Sequence, residues 1–190
     1  MDLLTARMPG SGRRMRALAI AATLFAGLAR AAVRDYQVEA VFLFNFTQFV
    51  QWPDSSFADP AAPIAICVLG DDPFDGYLDD TVHGEAVAGR AIAVRRYRRI
   101  EDVGACHVLF VSRSETAHTA EIVAALGHRG TLTVSDTDAF IERGGMVRFV
   151  LEGGHVKLRI NVDAAREAGL TISSKLLRVA EIETPGSSGR

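Results

Sequence analysis

Three short clusters in this 190-residue chain carry residue types suited to chemistry: Gly70-Asp71-Asp72, Ser112-Arg113-Ser114-Glu115 and Ser135-Asp136. Each follows an apolar run, so each lies where open parallel sheets bind ligands, outside the carboxyl ends of the strands. Ser112 and Ser114, with Arg113 at a helix start, suit an anion such as a phosphate or a carboxylate. Turns and helix caps need the same residue types. Two readings therefore stand for Asp71, Asp72, Ser112, Arg113, Ser114 and Asp136: a small-anion site, or local turn chemistry. A hydrolytic triad of Ser112, His118 and Asp136 lacks a group to orient its histidine. The sequence contains no G-x-S-x-G, H-E-x-x-H, C-x-x-C or G-x-x-x-x-G-K-[ST] motif. The five histidines are scattered, and Cys106-His107 offers two metal ligands where a site needs more. Catalysis, a metal and a resident cofactor are not expected.

Arg95-Arg96-Tyr97-Arg98-Arg99 concentrates positive charge in one short stretch. It either blunts an exposed strand edge or offers Arg95 and Arg96 to an acidic partner or to anionic headgroups. The two cysteines, Cys67 and Cys106, also admit two readings. In an oxidising compartment an even pair reads as a disulfide, and closing a loop of about 39 residues stabilises by roughly 4 kcal/mol in the chain-entropy model. Otherwise they are two buried thiols packed as small hydrophobes.

The compartment is set by the N-terminus. Arg13-Arg14-Met15-Arg16, an apolar run from Ala17 to Leu28, and Ala29-Arg30-Ala31 form the pattern of a secretory signal peptide over 1–31. Removing it takes away Arg7, Arg13, Arg14, Arg16 and Arg30 with Asp2, so 21 basic and 23 acidic side chains become 16 and 22, a net charge of −6. An acidic export product does not bind nucleic acid through phosphates. No later apolar run reaches spanning length. Residues 32–183 are expected to form one domain, and TPGSSGR from Thr184 a disordered tail.

The elements that must position these residues follow from periodicity. Tyr36 to Gln51 is expected to be a helix whose inward face carries Val38, Val41, Phe42, Phe46 and Phe49, widened by Leu43 and Phe44. Core packing accounts for such a stripe, and a partner groove is the alternative. Pro63–Leu69, Ala91–Tyr97, His107–Ser112 and Gly130–Ser135 read as buried strands. Phe74–Thr81, Glu115–Leu126 (with Ser114 as N-cap) and Thr137–Glu142 read as helices. Met146–Leu151 and His155–Ile160 flank Gly153-Gly154 as a hairpin. Asp163–Ala168 and the turns opened by Ser173 complete the chain, and Leu176 and Leu177 there are candidates for partner contact. Strand–helix alternation predicts an α/β fold, a mainly parallel sheet flanked by helices on both faces, with the antiparallel hairpin at one edge.

Four segments, VEAVFLFNFTQFVQWP (38–53), ICVLGDDPFDGYLDD (66–80), CHVLFVSRSE (106–115) and the run from Leu132 to Ala180, together resemble the YfiR-like family of small periplasmic proteins. The resemblance implies a periplasmic repressor that binds the periplasmic domain of a membrane diguanylate cyclase and so controls cyclic di-GMP and biofilm formation. It also implies an outer-membrane lipoprotein that sequesters the repressor, a homodimer, and a disulfide between Cys67 and Cys106. Well-known members carry a second cysteine pair near the C-terminal hairpin, and this chain has none there. The alternative from another class is a sensor of a small anion or nucleotide-like ligand, built on the strand ends and acting on a different membrane receptor.

Overall fold

The computed structural model describes residues 35–127 and 129–186; the expected signal peptide and the last four residues of the expected tail lie outside them. Helix α1 covers 35–49. It is followed by β1 (Val50–Gln51), β2 (Ile64–Leu69), α2 (Tyr77–Val82), β3 (Ala86–Val87), β4 (Arg90–Tyr97) and β5 (Val108–Val111). A 3-10 turn at Arg113–His118 leads into α3 (Thr119–Leu126). Then come β6 (Leu132–Ser135), β7 (Val147–Glu152), β8 (His155–Ile160), α4 (Val162–Glu167), β9 (Thr171–Ile172), α5 (Ser174–Leu177) and β10 (Ala180–Ile182).

The main sheet runs in the order β10-β8-β7-β6-β5-β2-β4-β3. From β4 to β7 every pairing is parallel, which is why β2 and β5 are continuous apolar runs and β6, with Thr133 and Ser135 among its residues, is buried throughout. The chain steps from β2 out to β4 and returns across β2 to β5, so the order reverses between β2 and β5. The β7–β8 hairpin forms in the expected register, with Glu152 opposite His155. The hairpin does not itself form the edge, because β10 adds outside it, parallel to β8.

Two apolar layers cover the sheet. On one face α1, α2, α4 and α5 contribute Leu43, Phe46, Leu78, Ala165 and Leu176 against Ile66, Phe110, Val134 and Phe149. The other face holds α3 through Ile122 and Leu126, together with Cys67, Cys106, Leu109 and Phe140. Phe46 stacks on Phe149 with ring centroids 6.1 Å apart, and Phe42 reaches the same ring at 5.9 Å. Each buried phenylalanine contributes roughly 2–3 kcal/mol. β1 and β9 pair separately, Val50 with Ile172 and Gln51 with Thr171, and the Ser173 amide donates to the Phe49 carbonyl at 2.8 Å. This clasp fastens the end of α1 to the C-terminal segment.

Two expectations are corrected. The buried stripe of α1 is Glu39, Ala40, Leu43, Phe46 and Thr47, whereas Val38 and Val41 are 40% and 45% exposed. The polar Thr47 is inside because it finds a partner there, Oγ1 donating to the Phe44 carbonyl at 2.6 Å, whereas Glu39 is buried beside Asp136. Residues 137–142 form turns, not a helix. Phe140 is fully buried, and a Cβ on Gly145 would lie 2.2 Å from its ring. The chain folds back over that ring, with the Gly145 amide donating to the Phe140 carbonyl at 2.9 Å, and a continuing helix would carry it away.

Candidate functional site

A polar cluster forms where the first turns of α1 meet the carboxyl ends of β5 and β6. Asp136, immediately after β6, accepts at Oδ2 from the Tyr36 hydroxyl at 3.0 Å and from Arg113 Nε at 2.6 Å. Arg113, just beyond β5, also reaches the Asp136 carbonyl with Nη2 at 3.4 Å. Asp136 Oδ1 is buried with no hydrogen-bond partner, and so is Glu39 Oε2. Glu39 is 5% exposed. Burial, then the Asp136 charge, push its carboxyl up to about 9, with Arg113 opposing. Burial and Asp136 likewise raise the Tyr36 phenol to about 12. At neutral pH the cluster thus holds Glu39 in its neutral form beside the Arg113 guanidinium. A neutral carboxyl is a donor, and the Asp136 carboxylate that raises it has an oxygen lacking one.

The remaining strand-end residues form a second, separate group where the strand order reverses. The Asp71 amide donates to Ser114 Oγ at 3.0 Å, and Ser114 Oγ donates to Glu115 Oε1 at 3.0 Å. Ser112 Oγ accepts the Ser114 amide at 3.5 Å. The cap of the 3-10 turn is therefore Ser112, not Ser114, because the Ser114 hydroxyl is turned toward Asp71 across the crevice. Gly70, at φ +91°, lets the two loops touch: a Cβ there would sit 2.3 Å from Ser114 Oγ. Asp72 accepts the Phe74 amide at 2.8 Å and Arg96 Nε at 2.6 Å. The structure thus brings Asp71, Asp72, Ser112 and Ser114 together in turn contacts, and places Arg113 and Asp136 with Tyr36 and Glu39. Among the described residues, no group of three or more His, Cys, Asp or Glu side chains is placed to hold a metal ion.

Three of the four arginines in the run are paired locally with acids. Arg96 pairs with Asp72 and Asp79, Arg98 with Asp71, and Arg99 with Glu101 at 3.1 Å. Arg95 donates to the Ala105 carbonyl at 2.9 Å. Of the apolar candidates, Leu176 is buried and Phe44 and Leu177 are half-buried against the core. The exposed large apolar side chains are others: Val38 and Val41 on the outer side of α1, Leu151 two residues beyond Phe149 on the same face of β7, and Tyr77, Val179 and Ile182.

Cys67 on β2 and Cys106 just before β5 are joined by a disulfide, Cα to Cα 6.2 Å, across the seam where the order reverses. No helix among the described residues is long and apolar enough to cross a membrane.

A doubly wound α/β sheet with a stapled central seam and a buried acid cluster at its carboxyl ends defines the class of this protein. The chain belongs to the YfiR/HmsC-like family, whose model matches residues 36–181. That family is known for periplasmic regulators of diguanylate cyclases. No curated protein matches the chain. The solved structures that match the chain include two that are similar in part. One is the ABC domain in complex with L-Trp from Streptococcus pneumonia, at 14% identity and TM-score 0.46, covering 63% of this chain and 55% of that one. The other is a conserved domain protein from Vibrio cholerae O1 biovar eltor, at 15% identity and TM-score 0.47, covering 63% and 54%. The chain spans about half the length of each.

Proposed function

We propose that this protein is a periplasmic regulator that binds the periplasmic domain of an inner-membrane diguanylate cyclase and represses it, lowering cyclic di-GMP and biofilm formation. The observation that carries this reading is the family match over 36–181. The export pattern of residues 1–31 and the disulfide, suited to an oxidising compartment, support it. The protein acts by population shift: it prefers the inactive arrangement of the cyclase, and sequestration by an outer-membrane lipoprotein withdraws that preference. It works as a homodimer. The docking surface is the apolar flank of α1 with Leu151, because Val38, Val41 and Leu151 are exposed large side chains beside the Phe42–Phe149 contact, whereas Leu176, Phe44 and Leu177 serve the core. The acid cluster fixes the tilt of α1 and so the shape of that flank.

The test is a pull-down with residues 32–190 from periplasm and solubilised membranes, followed by addition of the purified protein to vesicles carrying the captured receptor. Recovery of a membrane cyclase whose turnover falls on addition supports the proposal. A cyclase unaffected at saturation, or recovery only of receptors of another class, overturns it.

A further inference from the structure

We infer that His107 is an acid-operated latch: neutral, it fastens segment 52–57 to the sheet, and on gaining a proton it lets that segment go. His107 precedes β5 and is 3% exposed. Its Nδ1 accepts the Ala65 amide at 3.0 Å, so in the neutral ring the hydrogen sits on Nε2. Phe57 stacks on the imidazole at 4.5 Å, and Trp52 meets it edge-on at 5.8 Å. Trp52 Nε1 also donates to the His107 carbonyl at 3.2 Å. Both ends of segment 52–57 are therefore held by one residue. Arg90 lies over the Phe57 ring at 3.9 Å and donates to the Asp59 and Ala62 carbonyls.

A second ring proton would act in three ways. It would turn Nδ1 into a donor facing the Ala65 donor, leaving two buried N–H groups opposed. It would place charge in a site closed to water. It would also face the like charges of Arg90 and Arg95 from β4, the charged groups that act on this ring; Asp54, on the held segment, is exposed. Aromatic faces attract a cation, and Nε2, which has no well-directed hydrogen bond, is drawn toward the charged form by the Ser56 backbone. Burial and the two arginines outweigh both, and the imidazole is held below its ordinary 6.5. The unfolded chain takes up its proton near 6.5, so the contribution of the latch is whole above that value and is lost as pH falls below it.

Trp52 is the only tryptophan and sits on the latch, so its emission reports the event. The experiment titrates residues 32–190 from pH 8 to 4.5, following the His107 ring by NMR, Trp52 fluorescence, and amide exchange over 53–62 against that of β5 and β6. The expected result is a His107 midpoint below 6.5, with Trp52 emission and exchange over 53–62 changing at that midpoint while β5 and β6 stay protected. His107→Gln, which keeps an acceptor for the Ala65 amide and takes no proton, flattens both traces; if that variant does not fold, the parent traces decide. A midpoint at or above 6.5, flat exchange over 53–62 through the titration, or simultaneous loss of protection in all strands overturns the latch. None of these readouts depends on a cyclase partner.

Discussion

At the scale of single residues, Glu39 is the side chain with the largest consequence. Unfolded, it ionises near 4.5; folded, it keeps its proton up to about 9. Between those values the folded chain binds more protons, so this contribution is most favourable below 4.5 and weakens as pH rises toward 9, by at most about 1.4 kcal/mol per pH unit. Glu39→Gln keeps a neutral polar group of similar size at this buried position and removes the titration. The variant should match the parent at pH 4 and melt higher than it at pH 8, with the gap widening between; melting curves across that range check this, and a constant gap would discard the shared-cluster account. Nearby, Gly145→Ala drives a methyl into the Phe140 ring and should cost about 1–3 kcal/mol by denaturant unfolding. Arg113 and Asp136 stood out in the sequence as polar residues after apolar runs. Tyr36 and Glu39 did not, since an acid on an apolar stripe scores as outward-facing. The available signal was spacing: Tyr36, Glu39, Leu43, Phe46 and Val50 recur every three or four residues, a complete inward stripe with one acid in it.

At the scale of elements, the disulfide ties β2 to the start of β5 at the seam of the sheet. Cys67→Ser should lower stability by about 2–4 kcal/mol, and reducing the parent should reproduce the loss; unchanged unfolding midpoints would show that the seam holds without it. The strands of this seam were legible because burial on both faces makes them unbroken apolar runs. The helix expected over 137–142 failed because tertiary contact with Phe140 overrides a local helical pattern. β1, β9 and β10, two or three residues each, carry no periodicity to read, and their pairing is decided by partners far along the chain. The hairpin was read correctly, but its place inside the sheet rather than at the rim depends on β10.

At the scale of the whole molecule, the proposed function resides in a surface, and surface was the least legible level. Leu176 and Arg96 looked available in sequence and are spent on the core and on Asp72 and Asp79. If the flank of α1 docks the cyclase, Leu151→Asp should weaken the complex about tenfold, close to 1.4 kcal/mol. Its own unfolding should shift by no more than about 0.5 kcal/mol, as for an exposed site; calorimetric titration and melting separate the two, and equal affinity would move the interface elsewhere. The β1–β9 clasp has a further consequence, in time rather than in space. A polypeptide that appears N-terminus first, from a ribosome or from a translocation channel, presents α1 early but cannot fasten its end until residues 171–173 follow. The aromatic stripe of α1 can already pack on Phe149 by then, so the end of α1 is the part left loose in the interval.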